Sequence, residues 1–156
     1  MAIMRAVEEL LLDKGVQYAV LRHTEAFTAQ EFAAAQHVTG RQVLKVVMLR
    51  SGEELVMLVT NAVCRVDLEK ARAALRRPDL SPANEEEFKY LFPGCEPGAM
   101  PPFGHLFGLK VWADRAIPAD EDVYFKAGNH FEAVRIPCAD FLALTGAELV
   151  DICSHV

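Results

Sequence analysis

Lys45 lies in an apolar segment, where a charged side chain is costly. Residues 42–49 predict a strand, with aliphatic side chains on both sides of the lysine. Because side chains alternate along a strand, Lys45 shares a face with Val43 and Val47. A lysine in such surroundings must pair its charge, lower its pKa or reach a cleft, which makes it a candidate functional group. The alternative is a lysine whose stem packs while its ammonium reaches water.

A second candidate feature is a loop rich in glycine and proline, residues 93–108, which is too long and too constrained to be a simple turn. Gly98 to Pro102 suits the rigid wall of a small pocket, since glycine lets the backbone approach a ligand and present N–H groups to it. Proline holds such donors in place before a ligand arrives. The alternative is a structural loop that packs Phe103 and Phe107.

A third feature is a predicted tight hairpin, residues 126–130, whose tip has the sequence Gly-Asn-His.

The spacing of the cysteines and histidines does not indicate a metal site. The four cysteines are 31, 43 and 15 residues apart, and the histidines form no HxH or HExxH pair. We therefore predict no metal and no cofactor, and we expect the cysteines to be reduced, structural thiols.

The charge distribution limits the choice of partners. The net charge of −6 argues against broad nucleic-acid binding, although residues 41–77 carry eight basic and four acidic side chains. A local basic surface around Lys45 could hold a phosphate or two. A solvated helix face is the simpler explanation for four of the basic side chains, which are Lys70, Arg72, Arg76 and Arg77.

The secondary-structure elements that must position these residues predict one α+β domain, residues 1–156, with a mixed sheet. The predicted helices are 3–14, 29–37, 67–76, 82–91 and 137–144. The predicted strands are 17–23, 42–49, 55–60, 109–113, 122–127, 131–136 and 147–152. Ser81 and Pro82 resemble a helix cap followed by proline at the first helical position. No apolar run is long enough for a membrane span, and the first residues do not resemble a signal peptide, so we expect a cytoplasmic protein.

Considered together, these features resemble the YbaK/prolyl-tRNA-synthetase insertion-domain family, the single-domain aminoacyl-tRNA deacylases that edit in trans. The resemblance extends from about His23 to Leu144. The resemblance rests on the following residues, given in chain order: His23, Thr28-Ala29-Gln30-Glu31-Phe32-Ala33, Gln42-Val43-Leu44-Lys45-Val46-Val47, Gly98-x-x-x-Pro102, Phe125-Lys126-Ala127-Gly128 and Asp140-Phe141-Leu142. No single motif is specific, but their order and spacing make the combination informative. The resemblance implies a mixed, mostly antiparallel curved sheet flanked by helices.

The resemblance also implies a function, which is hydrolysis of the ester between a mischarged small amino acid and the terminal adenosine of tRNA. Lys45 would hold the terminal phosphate or ribose, or orient the ester, and the backbone of Gly98 to Met100 would grip the substrate and position water. His130 would assist proton transfer or contact the adenosine, since the pKa of histidine lies near neutrality. The remaining predicted substrate contacts are His23, Phe27, Val47, Ala99, Met100, Pro102, Gly128 and Asn129. The expected partners are the aminoacyl-tRNA acceptor end and an aminoacyl-tRNA synthetase.

Two departures from the family pattern keep other functions open. Many relatives have Thr or Asn after the lysine, whereas this chain has Val46, and the whole chain is acidic. A non-catalytic module that binds the tRNA acceptor end or a synthetase is therefore an alternative. A Schiff-base lyase that uses Lys45 is a third hypothesis, although no acid/base pair in the sequence supports it.

Overall fold

The computed structural model describes residues 3–22, 33, 34 and 38–154. The predicted contacts His23 and Phe27 and most of the predicted helix 29–37 lie outside these residues. The helices are α1 (Arg5–Asp13), α2 (Leu68–Leu75), α3 (Glu85–Phe88) and α4 (Cys138–Thr145). The strands are β1 (Ala19–Arg22), β2 (Leu44–Ser51), β3 (Glu54–Asn61), β4 (Arg65–Val66), β5 (Ser81–Pro82), β6 (Val111–Asp114), β7 (Asp122–Phe125), β8 (Glu132–Pro137), β9 (Glu148–Val150) and β10 (Cys153–Ser154).

The largest sheet has five strands in the order β5-β2-β3-β6-β9. The hairpin of β2 and β3 is antiparallel and sets Lys45 opposite Thr60, whereas β6 and β9 are added in parallel. A second, antiparallel sheet has the order β1-β8-β7, and β4 pairs with β10. The predicted α+β fold with a mixed, mostly antiparallel sheet is confirmed.

The hairpin of β2 and β3 forms because both of its faces are apolar. Leu44 and Met48 on one face join the main core, which includes Phe103, Phe125 and Phe141. Leu49 on the other face joins a second core beneath α2. This packing on two sides explains why the strand accepts so few polar residues, and it makes the position of Lys45 unusual.

Helix α2 begins and ends where the sequence indicates. The side chain of Asp67 accepts hydrogen bonds from the N–H groups of Glu69 and Lys70, and Arg76 ends the helix in the left-handed conformation at φ 55°. The predicted start of the next helix was wrong. Ser81 and Pro82 form the short edge strand β5, where proline costs no ladder hydrogen bond. Asn84 caps α3 instead, through a reciprocal pair of hydrogen bonds with Glu87.

The expectation of four reduced cysteines was also wrong. Cys64 and Cys153 form a disulfide, with Cα atoms 5.6 Å apart across a sequence separation of 89 residues. Cys95 and Cys138 are free thiols, and burial raises the pKa of each to about 11.

Within the described ranges, no helix is long and apolar enough to cross a membrane.

Candidate functional site

Lys45 is half-buried near the beginning of β2, and its ammonium has a defined partner. Its Nζ donates a hydrogen bond of 2.7 Å to the carbonyl oxygen of Cys64. Burial lowers the pKa of Lys45 from its ordinary value, because partial removal from water disfavours the charged form. The neighbouring Val46 packs against the main core on the opposite side of the strand. The site therefore has the lysine without a polar group at residue 46.

The carbonyl that holds Lys45 belongs to a tight turn, residues 61–64, which we call the Lys45 turn. The side chain of buried Asn61 accepts a hydrogen bond of 3.0 Å from the N–H of Val63, and the N–H of Cys64 donates to the Asn61 carbonyl at 3.2 Å. The N–H of Ala62 donates at 2.9 Å to the carbonyl of Val43, two residues before the lysine. The turn is thus anchored to the beginning of the strand that carries Lys45.

The glycine-proline loop and the 126–130 hairpin form one unit. The N–H of Gly128 donates to the carbonyl of Ala99, and the N–H of Glu96 donates to the carbonyl of Gly128, both at 2.9 Å. Gly98 has φ +80°, and a Cβ at this residue would lie 3.6 Å from Cε1 of His130. The structure therefore places Gly98, Ala99 and Gly128 together with His130.

His130 is buried and holds this unit together through three hydrogen bonds. Its N–H donates to Oε2 of Glu96 at 2.9 Å, its Nε2 lies 2.7 Å from the carbonyl oxygen of Pro97, and its Nδ1 lies 2.8 Å from Nζ of Lys126. A lysine ammonium only donates, so Nδ1 accepts and the ring proton is on Nε2, which donates to Pro97. Both ring nitrogens are thus engaged in holding the loop against the hairpin.

Asn129 is buried and organises the hairpin from within. Its Oδ1 accepts from the N–H groups of Phe131 and Glu132, and its Nδ2 donates to Oε1 of Glu132 at 3.1 Å. The beginning of the chain closes the other side of the hairpin, where the N–H of Met4 donates to the carbonyl of Ala127 at 2.8 Å. A Cβ at Gly128 would lie 2.6 Å from Cγ of Met4. The sequence contained no signal for this contact of Met4, because it depends on tertiary packing.

The N–H groups of Gly98 and Met100 in the loop are available to a ligand as far as the described residues show. Gly98 is exposed and Met100 is half-buried. Within the part of the chain that the structure describes, neither of their N–H groups donates a hydrogen bond to the protein. Backbone N–H groups held in a rigid loop and left without acceptors are suited to binding a carbonyl oxygen or an anion.

The lysine and the loop–hairpin unit lie at one junction of the two sheets. An isolated parallel bridge joins Val43 to Tyr124. Val43 lies two residues before Lys45, and Tyr124 lies two residues before Lys126, whose Nζ contacts His130. Val43 and Tyr124 pack into one small cluster. The bridge therefore joins the beginning of the strand that carries Lys45 to the strand that leads into the hairpin.

The other predicted contacts have different surroundings. Val47 packs against the second core, and Ala99 and Pro102 are buried. Met100 borders a cavity of about 210 Å³ together with Phe92 and Cys95. Phe103 and the half-buried Phe107 pack against aromatic rings of the core, so this part of the loop has the structural role that was the alternative prediction.

Most of the basic side chains in segment 41–77 have an acidic partner. Five of its side chains make ion pairs, in the pairs Arg41–Glu121, Arg50–Glu87, Lys70–Asp151, Arg72–Glu69 and Arg77–Glu54. Most of these pairs are solvent-exposed and each contributes little to stability. Their main consequence is to neutralise the surface near α2, so that Lys45 is a more localised positive charge than the sequence suggested.

The fold is that of a small α+β domain with a mixed sheet. The sequence signature of the aminoacyl-tRNA editing domain matches residues 23–144, and the chain belongs to this family. The match includes Lys45, the loop and the hairpin.

Solved structures show the same fold. A proposed trans-editing enzyme for prolyl tRNA synthetase has 27% sequence identity and a TM-score of 0.81, with 97% of this chain and 96% of that chain covered. A protein from work on computational epitope grafting onto scaffolds has 25% identity and a TM-score of 0.83, with 97% of both chains covered. A hypothetical protein with 19% identity and a TM-score of 0.85 shares the fold, with 96% of this chain and all of that chain covered. No curated protein matches the sequence.

Proposed function

We propose that this protein is a trans-editing aminoacyl-tRNA deacylase that cleaves the ester of tRNA mischarged with a small amino acid. The observation that carries the proposal is the pair of N–H groups of Gly98 and Met100, which donate to no acceptor among the described residues. The chain belongs to the editing-domain family and also has a half-buried lysine, Lys45. The whole chain would act as one domain in the cytoplasm. It would take the acceptor end of aminoacyl-tRNA as its substrate, and a synthetase would supply further affinity.

Lys45 would bind the phosphate or ribose of the terminal adenosine, or orient the ester. An ammonium has three donors, and the Cys64 carbonyl accepts only one of them, so two remain for a substrate. Partial burial strengthens the attraction of Lys45 to a phosphate, because less water screens the charge. The same burial lowers the pKa of the lysine, because partial removal from water disfavours the charged form.

The N–H groups of Gly98 and Met100 would stabilise the negative charge that develops on the carbonyl oxygen as water attacks the ester. Such donors accelerate a reaction when they are held in place before the charge forms. Here the loop is fixed by its hydrogen bonds to Gly128 and His130. An aminoacyl ester is already activated, so orientation and charge stabilisation are the main requirements.

His130 would act mainly by holding the loop in place. Its two ring nitrogens are engaged by Lys126 and Pro97, so transfer of a proton through the ring would first require one of these contacts to break. Asn129 and Gly128 would support the same geometry from the hairpin. Val47, Ala99, Met100 and Pro102 would shape the wall around the amino acid, together with His23 and Phe27. A methylene is worth only about 1–3 kcal/mol in an apolar pocket, so selectivity for alanine, serine or cysteine depends on fine shape.

A module that binds the tRNA end without cleaving it is the second candidate. It is favoured by Val46, which packs into the core where many relatives have a polar residue. The Lys45→Ala variant distinguishes the two functions when binding and cleavage are measured on the same mischarged tRNA. A deacylase loses cleavage by about a hundredfold, whereas a binding module shows no cleavage before or after the change. Lys89→Ala, which breaks an exposed ion pair with Glu86, is the matched control.

A further inference from the structure

The Cys64–Cys153 disulfide acts on the residue that holds Lys45. The carbonyl of Cys64 accepts the hydrogen bond from Lys45 Nζ at 2.7 Å, and the side chain of the same residue is bonded to Cys153. Cys64 is 5% exposed and Cys153 is fully buried. The disulfide therefore ties Cys64, whose carbonyl orients the lysine, to Cys153, which lies 89 residues further along the chain.

Hydrogen bonds of the C-terminal strand β10 hold Cys153 in place, so the disulfide ties Cys64 to a fixed part of the structure. Residues Cys153 and Ser154 pair antiparallel with Val66 and Arg65, directly after the Lys45 turn. Lys70 Nζ donates to the carbonyl of Cys153 at 2.9 Å. Further along the chain, the N–H of Asp67 donates to the carbonyl of Ile152 at 2.8 Å, so the anchor also includes the N-terminus of α2.

Without the disulfide, the end of the Lys45 turn has weaker support. The N–H of Cys64 donates to the Asn61 carbonyl at 3.2 Å, a contact within the turn that lets the whole turn move as a unit. Val63, between Asn61 and Cys64, is 70% exposed and adds little packing. After reduction, the two segments are joined by the two-residue pairing of β4 with β10 and by the hydrogen bonds of Asp67 and Lys70 to residues 152 and 153. These bonds attach to residues after Cys64 and restrain its carbonyl only indirectly, and so short a ladder is weak by itself.

We propose that the Cys64–Cys153 disulfide is a positioning device for Lys45 and makes the deacylase sensitive to dithiols. This inference rests on the proposed function. Both cysteines are buried, so a dithiol reductant reaches the bond when the short pairing of β4 with β10 opens. Its thiolate then attacks one sulfur, the S–S bond breaks, and a mixed disulfide forms. The second thiol of the reductant then displaces the protein sulfur. Two electrons and two protons pass to the protein, which gains two thiols, while the reductant becomes a disulfide.

The experiment compares the oxidised protein with the same protein after reduction by dithiothreitol and removal of the reductant under anaerobic conditions. The first readout is release of amino acid from mischarged tRNA. We expect kcat/KM to fall about tenfold on reduction, since small displacements of a positioning group are costly, and to return on reoxidation. Cys64→Ser/Cys153→Ser should have the low activity permanently and not respond to dithiothreitol. Cys138→Ala, which removes a buried thiol elsewhere, should behave as the wild type.

The second readout is independent of activity. Lysines are labelled by reductive methylation with ¹³C-formaldehyde, and the NMR signal of Lys45 is assigned by its loss in Lys45→Arg. In the oxidised protein this signal should titrate at a lower pH than those of exposed lysines, and it should move toward them on reduction. An unchanged signal and unchanged kcat/KM in a folded, reduced protein would overturn the proposal. Absence of amino-acid release from the oxidised protein would instead contradict the proposed function, and the Lys45 signal would still test the disulfide.

Discussion

The backbone of Gly98 lies against the ring of His130. A Cβ at residue 98 would be 3.6 Å from Cε1 and 4.0 Å from Nε2 of that ring, and Gly98 has φ +80°. The carbonyl of Pro97, one residue earlier, accepts from the same ring. The ring of His130 therefore supports the loop at Gly98, in addition to the hydrogen bonds between the loop and Gly128.

Gly98→Ala tests whether this backbone geometry serves the reaction. The left-handed conformation costs a non-glycine residue about 1–2 kcal/mol, so we expect a modest loss of stability. We also expect kcat to fall by about tenfold to a hundredfold, because a shifted N–H no longer meets the developing charge. The measurements are urea unfolding and single-turnover deacylation.

Gly94→Ala is the matched control for this change. Gly94 has φ +78° in the same loop, and a Cβ there would meet nothing within 4 Å. The two variants should lose similar stability, while only Gly98→Ala loses activity. Equal activity in both variants would show that the loop contributes nothing beyond its packing.

His130 can be tested by comparing two substitutions. His130→Ala removes both contacts of the ring and should lower kcat by about a hundredfold, in line with the loss of a group that positions the charge-stabilising donors. His130→Gln keeps an amide that can donate to the Pro97 carbonyl, so it should recover at least part of the activity. If glutamine and alanine were equally inactive, with intact folds, proton transfer by His130 would replace positioning as its role. His105→Ala, on an exposed histidine of the same loop, serves as control.

The lowered pKa of Lys45 predicts a pH dependence on the alkaline side. Only the protonated lysine attracts a phosphate, and because burial lowers the pKa of Lys45, this lysine loses its proton at a lower pH than an exposed lysine does. The KM for mischarged tRNA should therefore rise with pH before ordinary lysines titrate. Lys45→Arg keeps its charge throughout this range and should lack the rise. An identical pH profile in both proteins would assign the alkaline limb to another group.

The same shift has a consequence for stability. The pKa of Lys45 is lower in the folded than in the unfolded state, so between the two values the unfolded chain binds more protons. The free energy of unfolding should therefore increase with pH over that interval, relative to a Lys45→Met variant. Urea unfolding at a series of alkaline pH values, compared between wild type and Lys45→Met, measures this contribution. A difference between the two proteins that decreased with pH would contradict the burial of the lysine.

The disulfide predicts a change in stability that is separate from its effect on Lys45. Reduction opens a cross-link between residues 89 apart, and loss of a native disulfide costs about 2–5 kcal/mol in small domains. Urea unfolding of the oxidised and reduced proteins should differ by an amount in this range. Equal midpoints would indicate that Cys64 and Cys153 contribute no cross-link in solution.

Local patterns predicted most of the fold. The apolar strand around Lys45 and the helix that follows Asp67 each depend on neighbouring residues, and each is confirmed in the structure. The helix predicted at 82–91 was placed too early because two cap signals lie close together. Ser81-Pro82 resembles one of these signals, but both residues pair with β2 and belong to the sheet. The helix cap is formed by Asn84 together with Glu87.

The features that were missed depend on contacts between distant residues. The cysteine spacing contains no information on the Cys64–Cys153 pairing, because the pairing follows from the position of the C-terminal strand beside β4. The ion pairs that neutralise the basic segment join residues far apart in sequence, such as Arg41 and Glu121. Within the site, the sequence predicted Lys45, the loop and the hairpin, but not the hydrogen bonds through which Cys64 and His130 hold them.

The central claim is tested most directly by release of amino acid from a panel of charged tRNAs, with uncatalysed hydrolysis subtracted. The panel should contain alanine, serine, threonine and cysteine on proline-accepting tRNA, together with the correctly charged pairs. The proposed function predicts rapid release of one small amino acid from the mischarged tRNA and slow release from its cognate pair. No release above the uncatalysed rate from any member of the panel, with the oxidised protein shown to be folded, would contradict it.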